Sequence, residues 1–150
     1  STGRPILLRK FPRLLRSYMK DSTTVRINWL QSLVNQIETY KREMNINIVC
    51  LDSLQAVYSL ATMENPRDEL FHFFKGIKAL GLTAFIISEM PPDRLEFGKY
   101  GIEDFLSDAI IHMDVRRSGS SVNLYFGVTK MRKTAHDRNY FPFIAGRGNF

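Results

Sequence analysis

The strongest constraint on this chain is that its hydrophobic periodicity changes back and forth along the sequence. From Val25 the apolar residues Val25, Trp29, Leu30, Leu33, Val34, Ile37 and Tyr40 recur every three or four positions, with Arg26, Gln31, Asn35, Glu38, Lys41 and Arg42 between them. That spacing predicts an amphipathic helix. Asn45–Asn47 breaks the period, and Ile46, Ile48, Val49, Cys50 and Leu51 follow as a short, mostly β-branched run of the kind that forms strands buried on both faces. Cys50, the sole cysteine, is expected there as a plain core residue, and no intrachain disulfide can form. A second helix is predicted after Asn65-Pro66, where Asn can cap and Pro can take the first helical position, with Leu70, Phe71, Phe73, Phe74, Ile77 and Leu80 as its apolar residues and Gly81 as its stop. Leu82–Ile87 reads as a second buried strand, closed by Ser88-Glu89 and the loop-forming Pro91-Pro92. Ala109–Met113 reads as a third.

Long helices between apolar strands imply right-handed crossovers and a parallel sheet, so the expected fold class is α/β, a mostly parallel sheet flanked by helices. The last third differs. Val115–Val122 is a polar, glycine-containing turn, and Val122, Leu124, Phe126 and Val128 then alternate up to Lys130, which predicts an antiparallel hairpin. Tyr140–Ala145 adds an edge strand, where Pro142 is tolerated.

With 150 residues, 44% of them hydrophobic and 24% charged, the chain has ordinary globular composition and length for one core. No apolar run is long enough to cross a membrane, and Arg4, Arg9 and Lys10 interrupt the first apolar patch, unlike a signal peptide. A soluble, cytoplasmic protein is expected. The chain begins with Ser1 rather than Met, as a processed or excised piece does. The net charge of +6 is carried by residues 1–20, where Arg4, Arg9, Lys10, Arg13, Arg16 and Lys20 occur without an acid. Such a basic segment is either a solvated arm or a surface that meets phosphates, so nucleic acid is one candidate partner. The expected organisation is therefore a basic segment, 1–20, followed by a domain, 21–150.

Two groups of residues can carry chemistry. Asp52, followed by Ser53, stands at the carboxyl end of an apolar strand, where open α/β sheets bind ligands. Ile48-Val49-Cys50-Leu51-Asp52-Ser53 has the form of a Walker B segment, whose aspartate helps hold the Mg2+ of a nucleotide. It is also the form of a strand ending in a helix cap. Ser88 and Glu89 follow the next strand in the same way, Ser88 as a sensor of a γ-phosphate and Glu89 as a second acid at the sheet edge or a loop acid with a local salt bridge. The second group is Lys130-Met131-Arg132-Lys133-Thr134-Ala135-His136. On a strand, Lys130 and Arg132 share a face and can grip one anion, with Met131 turned away. A basic edge that discourages aggregation has the same composition.

From about Thr24 to Phe143 these segments, in this order, resemble the C-terminal half of a KaiC-type domain of the RecA superfamily. Ile48–Ser53 is similar to that family's Walker B strand, and Ala79–Glu89 to the helix end and strand that follow. Tyr100-Gly101-Ile102-Glu103-Asp104-Phe105-Leu106-Ser107-Asp108 resembles its Tyr-Gly-Val-Glu-Glu-Phe-Val-Ser-Asp signature. Lys130-Met131-Arg132 with His136 resembles its Lys-Met/Leu-Arg-Gly-Thr-x-His motif. The resemblance implies a RecA-like fold, ATP and Mg2+ as ligands, and assembly with itself or with similar subunits into a ring. There Lys130, Arg132 and His136 would reach a neighbour's nucleotide, a role for cations that suits the charge developing on a transferred phosphoryl group.

The departures are specific. No Gly-x-x-x-x-Gly-Lys-Ser/Thr occurs in the chain: Gly98-Lys99 is followed by Tyr100 and has Asp93 where the first glycine belongs. The family's paired catalytic glutamates have no counterpart, so no catalytic residue is assigned. Lys133 replaces the motif glycine, and Arg147 lies where an acid is frequent. The expected role is that of a fragment or a non-hydrolysing regulatory relative of an ATP-binding ring protein. A nucleic-acid-binding module and a non-catalytic scaffold are the alternatives.

Overall fold

A computed structural model describes residues 5–7, 29–60, 63–90 and 97–144, which divide into two units at Leu106/Ser107. Among the described residues no helix is long and apolar enough to cross a membrane.

In the first unit, strand β1 (Pro5–Leu7) precedes helix α1 (Trp29–Met44), strand β2 (Ile48–Leu51), helix α2 (Leu54–Leu60), helix α3 (Pro66–Ala79), strand β3 (Thr83–Ile86) and the one-turn helix α4 (Glu103–Leu106). The three strands form a parallel sheet in the order β1-β2-β3, with Leu7 opposite Cys50 and Leu51 opposite Ile86. Val49 and Leu51 point from β2 into a core with Leu30, Leu33, Val34 and Ile37 of α1 and Leu70, Phe73, Phe74 and Ile77 of α3. The two helices approach closely at Gly76, where a methyl group would come within 3.1 Å of Val34 Cγ1. Asn65 caps α3 as expected: its side chain accepts from Asp68 N at 3.4 Å, and Pro66 opens the helix. Lys41 at the end of α1 donates to the carbonyl of Leu80, and Gly81 stops α3 with φ +62.

One strand is added to those expected, and the expectations for Cys50, Ala109–Met113 and the hairpin turn change. The parallel partner on the far side of β2 is β1, within the basic N-terminal segment, where four apolar residues between Arg4 and Arg9 make too short a pattern to read as a strand. Cys50 is half-buried, since alternation turns it away from the helices, toward the face that carries exposed Phe85 and Ile87. Ala109–Met113 does not join the parallel sheet. It begins β4 (Ala109–Ser118), which pairs antiparallel with β5 (Ser121–Met131), itself paired with β6 (Phe141–Phe143). These three strands are the second unit's sheet, in the order β4-β5-β6. The hairpin turn is narrower than the polar stretch suggested, just Gly119-Ser120, with Gly119 at φ +59. Glycine takes that value without a Cβ clash, which is why a two-residue turn begins on it. Gly127 is closely covered: a Cβ there would lie 3.1 Å from the ring of Tyr140, which crosses β5 to share a 2.6 Å hydrogen bond with His112 Nδ1 and would have to give by a few tenths of an ångström. Residues 1–4 and 8–28, most of the basic segment, and Ala145 and Arg147 lie outside the described residues.

Candidate functional site

A parallel strand delivers whatever follows it to the carboxyl edge of its sheet, and β2 and β3 are neighbours. Asp52 and Ser53 therefore leave β2 beside Ser88 and Glu89, which leave β3. The backbone joins the two exits: Ile87 N donates to Leu51 O at 2.9 Å, and Leu54 N donates to Ile87 O at 2.8 Å. The Asp52–Ser53 peptide bond is cis. Asp52, Ser53 and Ser88 are half-buried and Glu89 is exposed.

The side chain that fastens this edge was not singled out from the sequence. Gln55, in the first turn of α2, donates from Nε2 to Ser88 Oγ at 3.1 Å and to Glu89 O at 2.8 Å. Its Oε1 is buried and has no hydrogen-bond partner among the described residues. The carbonyl of Glu89 sets the amide's orientation, since turning the amide over would aim two oxygens at each other. The readable signal was Gln55 three residues past Asp52, at the start of an apolar helical run.

A second feature of this unit centres on Glu103, 7% exposed and the one buried acidic side chain among the described residues. Oε1 accepts from Tyr58 Oη at 2.8 Å, Lys99 N at 2.9 Å and Tyr100 N at 3.2 Å, and Oε2 accepts from Ile102 N at 3.0 Å. The segment 97–102 thus wraps a carboxylate, and its glycines have a reason. Gly98 (φ +86) and Gly101 (φ +67) take left-handed conformations, and a Cβ on Gly98 would fall 2.3 Å from Glu103 Cδ. Gly98-Lys99 is therefore a carboxylate-wrapping turn. The Lys99 ammonium lies over the rings of Tyr58 and Tyr100, 5.6 and 5.4 Å from their centroids. Burial, then the hydrogen bond to Glu103, hold the Tyr58 hydroxyl protonated well beyond the usual tyrosine range.

Lys130, Arg132 and His136 belong to the second unit. The pairing advances from Ile111↔Val128 to Ile110↔Lys130, so β5 carries an extra residue, Thr129, at a β-bulge. Simple alternation would leave Lys130 on the same face as Val122, Leu124, Phe126 and Val128. The bulge transfers it to the opposite face, with Ile110 and His112. Arg132 lies just past the end of β5, so strand alternation does not set its direction. Asp108 does: Arg132 N donates to Asp108 O at 2.8 Å, and Arg132 Nη1 is 3.4 Å from Asp108 Oδ1. Lys133, in place of the motif glycine, has φ +60, the left-handed conformation that favours glycine. Half-buried His136 has Nδ1 3.4 Å from Thr134 O, and its Nε2 is buried without a hydrogen-bond partner among the described residues.

Mg2+ takes oxygen ligands, normally one or two carboxylates together with substrate phosphates. Half-buried Asp52, at the carboxyl edge of β2, is the carboxylate that would hold such an ion on a nucleotide. An independent metal centre is a different matter, since no group of three or more His, Cys, Asp or Glu among the described residues can hold a metal ion. No Gly-x-x-x-x-Gly-Lys-Ser/Thr, the form of a phosphate-cradling loop, occurs in the sequence.

Comparison with known proteins bears on the family of the chain. The Circadian clock protein KaiC3 of Synechocystis sp. is 29% identical over 115 residues, 76% of this chain and 23% of that protein. The Circadian clock oscillator protein KaiC of Prochlorococcus marinus is 27% identical over 118 residues, 78% of this chain and 23% of that protein. The chain thus spans about a quarter of the length of these relatives. The family model described as "ATPase: KaiC" matches residues 14–149. The chain, with its parallel sheet, antiparallel sheet and helices, belongs to the KaiC family of ATPases, in the RecA superfamily.

Proposed function

We propose that this chain works as a subunit of an ATP-binding ring, contributing Asp52 on the magnesium side of one nucleotide and Lys130 and Arg132 to the nucleotide of a neighbour, without hydrolysing ATP alone. The observation that carries the reading is the meeting of Asp52-Ser53 and Ser88-Glu89 at one carboxyl edge, fastened through Gln55. A bound Mg2+–nucleotide supplies the phosphoryl group and its divalent counter-charge. Asp52 accepts hydrogen bonds from metal-bound water, Ser88 orients its hydroxyl toward the phosphate end, and Glu89 marks the outer rim. Lys130 and Arg132 neutralise charge on the phosphates across the subunit boundary, with Asp108 holding Arg132 in register. His136 closes the same motif, its Nδ1 3.4 Å from Thr134 O, and belongs to the segment that turns toward the neighbour. The absence of a Gly-x-x-x-x-Gly-Lys-Ser/Thr motif in the sequence is why turnover needs a partner that has one.

The test mixes subunits. A KaiC-type subunit with an intact phosphate loop but alanines at its own Lys-x-Arg positions is inactive by itself. Adding this chain restores ATP hydrolysis, and adding its Lys130→Ala, Arg132→Ala variant does not, although both co-assemble. Trans-acting cations contribute about 10³ to 10⁵ in rate in phosphoryl transfer, so a small share is measurable. Co-assembly without restored hydrolysis overturns the assignment, and so does turnover by this chain alone that Asp52→Ala abolishes.

A further inference from the structure

Gln55 commits both of its amide protons at the edge where β2 and β3 end. Nε2 donates to Ser88 Oγ at 3.1 Å and to Glu89 O at 2.8 Å. A primary amide carries two protons on nitrogen and none on oxygen, so turning it over would set Oε1 against the Glu89 carbonyl, acceptor against acceptor. The amide is therefore locked as a donor toward Ser88. Oε1 is left buried with no partner among the described residues, an unfavourable arrangement that the two donated bonds outweigh. The position of Gln55 is fixed by its neighbour in the chain: Leu54 is 1% exposed in the core, and its N–H donates to Ile87 O at 2.8 Å.

That lock sets the polarity of Ser88. A serine hydroxyl holds one proton and two lone pairs. One lone pair faces the Gln55 N–H, so the hydroxyl proton cannot point back along the same line, and no described residue accepts it. Half-buried Ser88 thus stands at the exit of β3 with a proton to donate, beside the exit of β2 that carries Asp52.

We propose, resting on the nucleotide reading above, that Gln55 is a positioning residue that holds Ser88 as a hydrogen-bond donor and so lets this edge tell a nucleoside triphosphate from a diphosphate. The ionised oxygens of a terminal phosphate only accept, and a hydroxyl aimed as a donor matches them, in a bond stronger than one between neutral groups. A serine free to rotate loses part of that gain to ordering, whereas one already oriented by an amide does not. Gln55 acts through Ser88 and needs no contact with the ligand, which agrees with the burial of its oxygen. Every residue involved lies in the first unit.

Nuclear magnetic resonance titrations of the full chain with Mg2+–ATP and with Mg2+–ADP test it, the ratio of the two dissociation constants being read from amide shifts around Asp52 and Ser88. The native chain should prefer ATP. Ser88→Ala should lower that preference at least about tenfold, as the loss of a hydrogen bond to a charged acceptor does. Gln55→Met, which keeps the length of the side chain and removes the donor, should lower it by a similar factor. In the Ser88→Ala background Gln55→Met should change the ratio no further, an outcome that a merely structural role does not produce. Should Gln55→Met fail to fold, Gln55→Glu, whose carboxylate draws the Ser88 proton inward, must show the same loss. An ATP preference that Ser88→Ala removes and both Gln55 variants retain overturns the role of Gln55 and leaves the nucleotide reading standing, and so does a full further loss in the double variant. Equal affinity of the native chain for ATP and ADP likewise overturns this proposal alone. A native chain in which neither nucleotide shifts the amides around Asp52 overturns both.

Discussion

Replacing Glu103 by Gln keeps the shape of the side chain and removes its charge and one acceptor, which isolates what the carboxylate does. In the native arrangement Oε1 accepts three hydrogen bonds and Oε2 one. The amide will keep its oxygen where three donors converge, and its Nε2 will then face the N–H of Ile102, donor against donor. Loss of one hydrogen bond to a charged acceptor costs about 1.5–3 kcal/mol. The three that remain become neutral bonds, roughly half as strong as charge-assisted ones. Relief of the desolvation of a buried charge offsets part of this. We expect a net loss of about 3 kcal/mol, which lowers the urea midpoint by about 1.5 M for a small domain. Trp29, the sole tryptophan, packs against the first unit's core and reports that unit in a fluorescence-monitored urea titration. A double-mutant cycle with Tyr58→Phe should show a coupling energy of about 1 kcal/mol or more. A loss below about 1 kcal/mol for Glu103→Gln would refute the reasoning, because a neutral side chain would then hold the 97–102 turn as well as the carboxylate does.

Two further outcomes follow from the same geometry and from the basic turn. Because the native Tyr58 hydroxyl keeps its proton well above the usual value near 10, the native state binds more protons than the unfolded state beyond that pH. Stability is fully present below pH about 10 and falls above it, and in Tyr58→Phe the fall should be shallower by up to about 1.4 kcal/mol per pH unit, read from urea titrations at alkaline pH. Lys133→Gly, which relieves a left-handed non-glycine residue, should stabilise the second unit by about 1 kcal/mol, seen as slower amide exchange across β4 and β5; unchanged or faster exchange would show that the turn carries no such strain.

The periodic parts of the chain were legible because local periodicity reports burial. The α1 pattern, the Asn65-Pro66 start of α3, the apolar runs of β2 and β3 and the alternation of β5 all correspond to elements whose own residues set them. The order of Asp52-Ser53, Ser88-Glu89 and the Lys130–His136 stretch likewise carried the family resemblance. What depends on partners distant in sequence was not legible. The three residues of β1 have no period of their own and become a strand through pairing with β2. Cys50 is half-buried because the helices cover the other side of β2, which its apolar neighbours could not reveal. Gln55 and Glu103 are ordinary polar residues until folding places Ser88 beside one and Tyr58 with three backbone N–H groups around the other. Lys130 changes face through a single extra residue in β5, and a bulge exists only as a mismatch between two strands, which one strand's sequence does not contain.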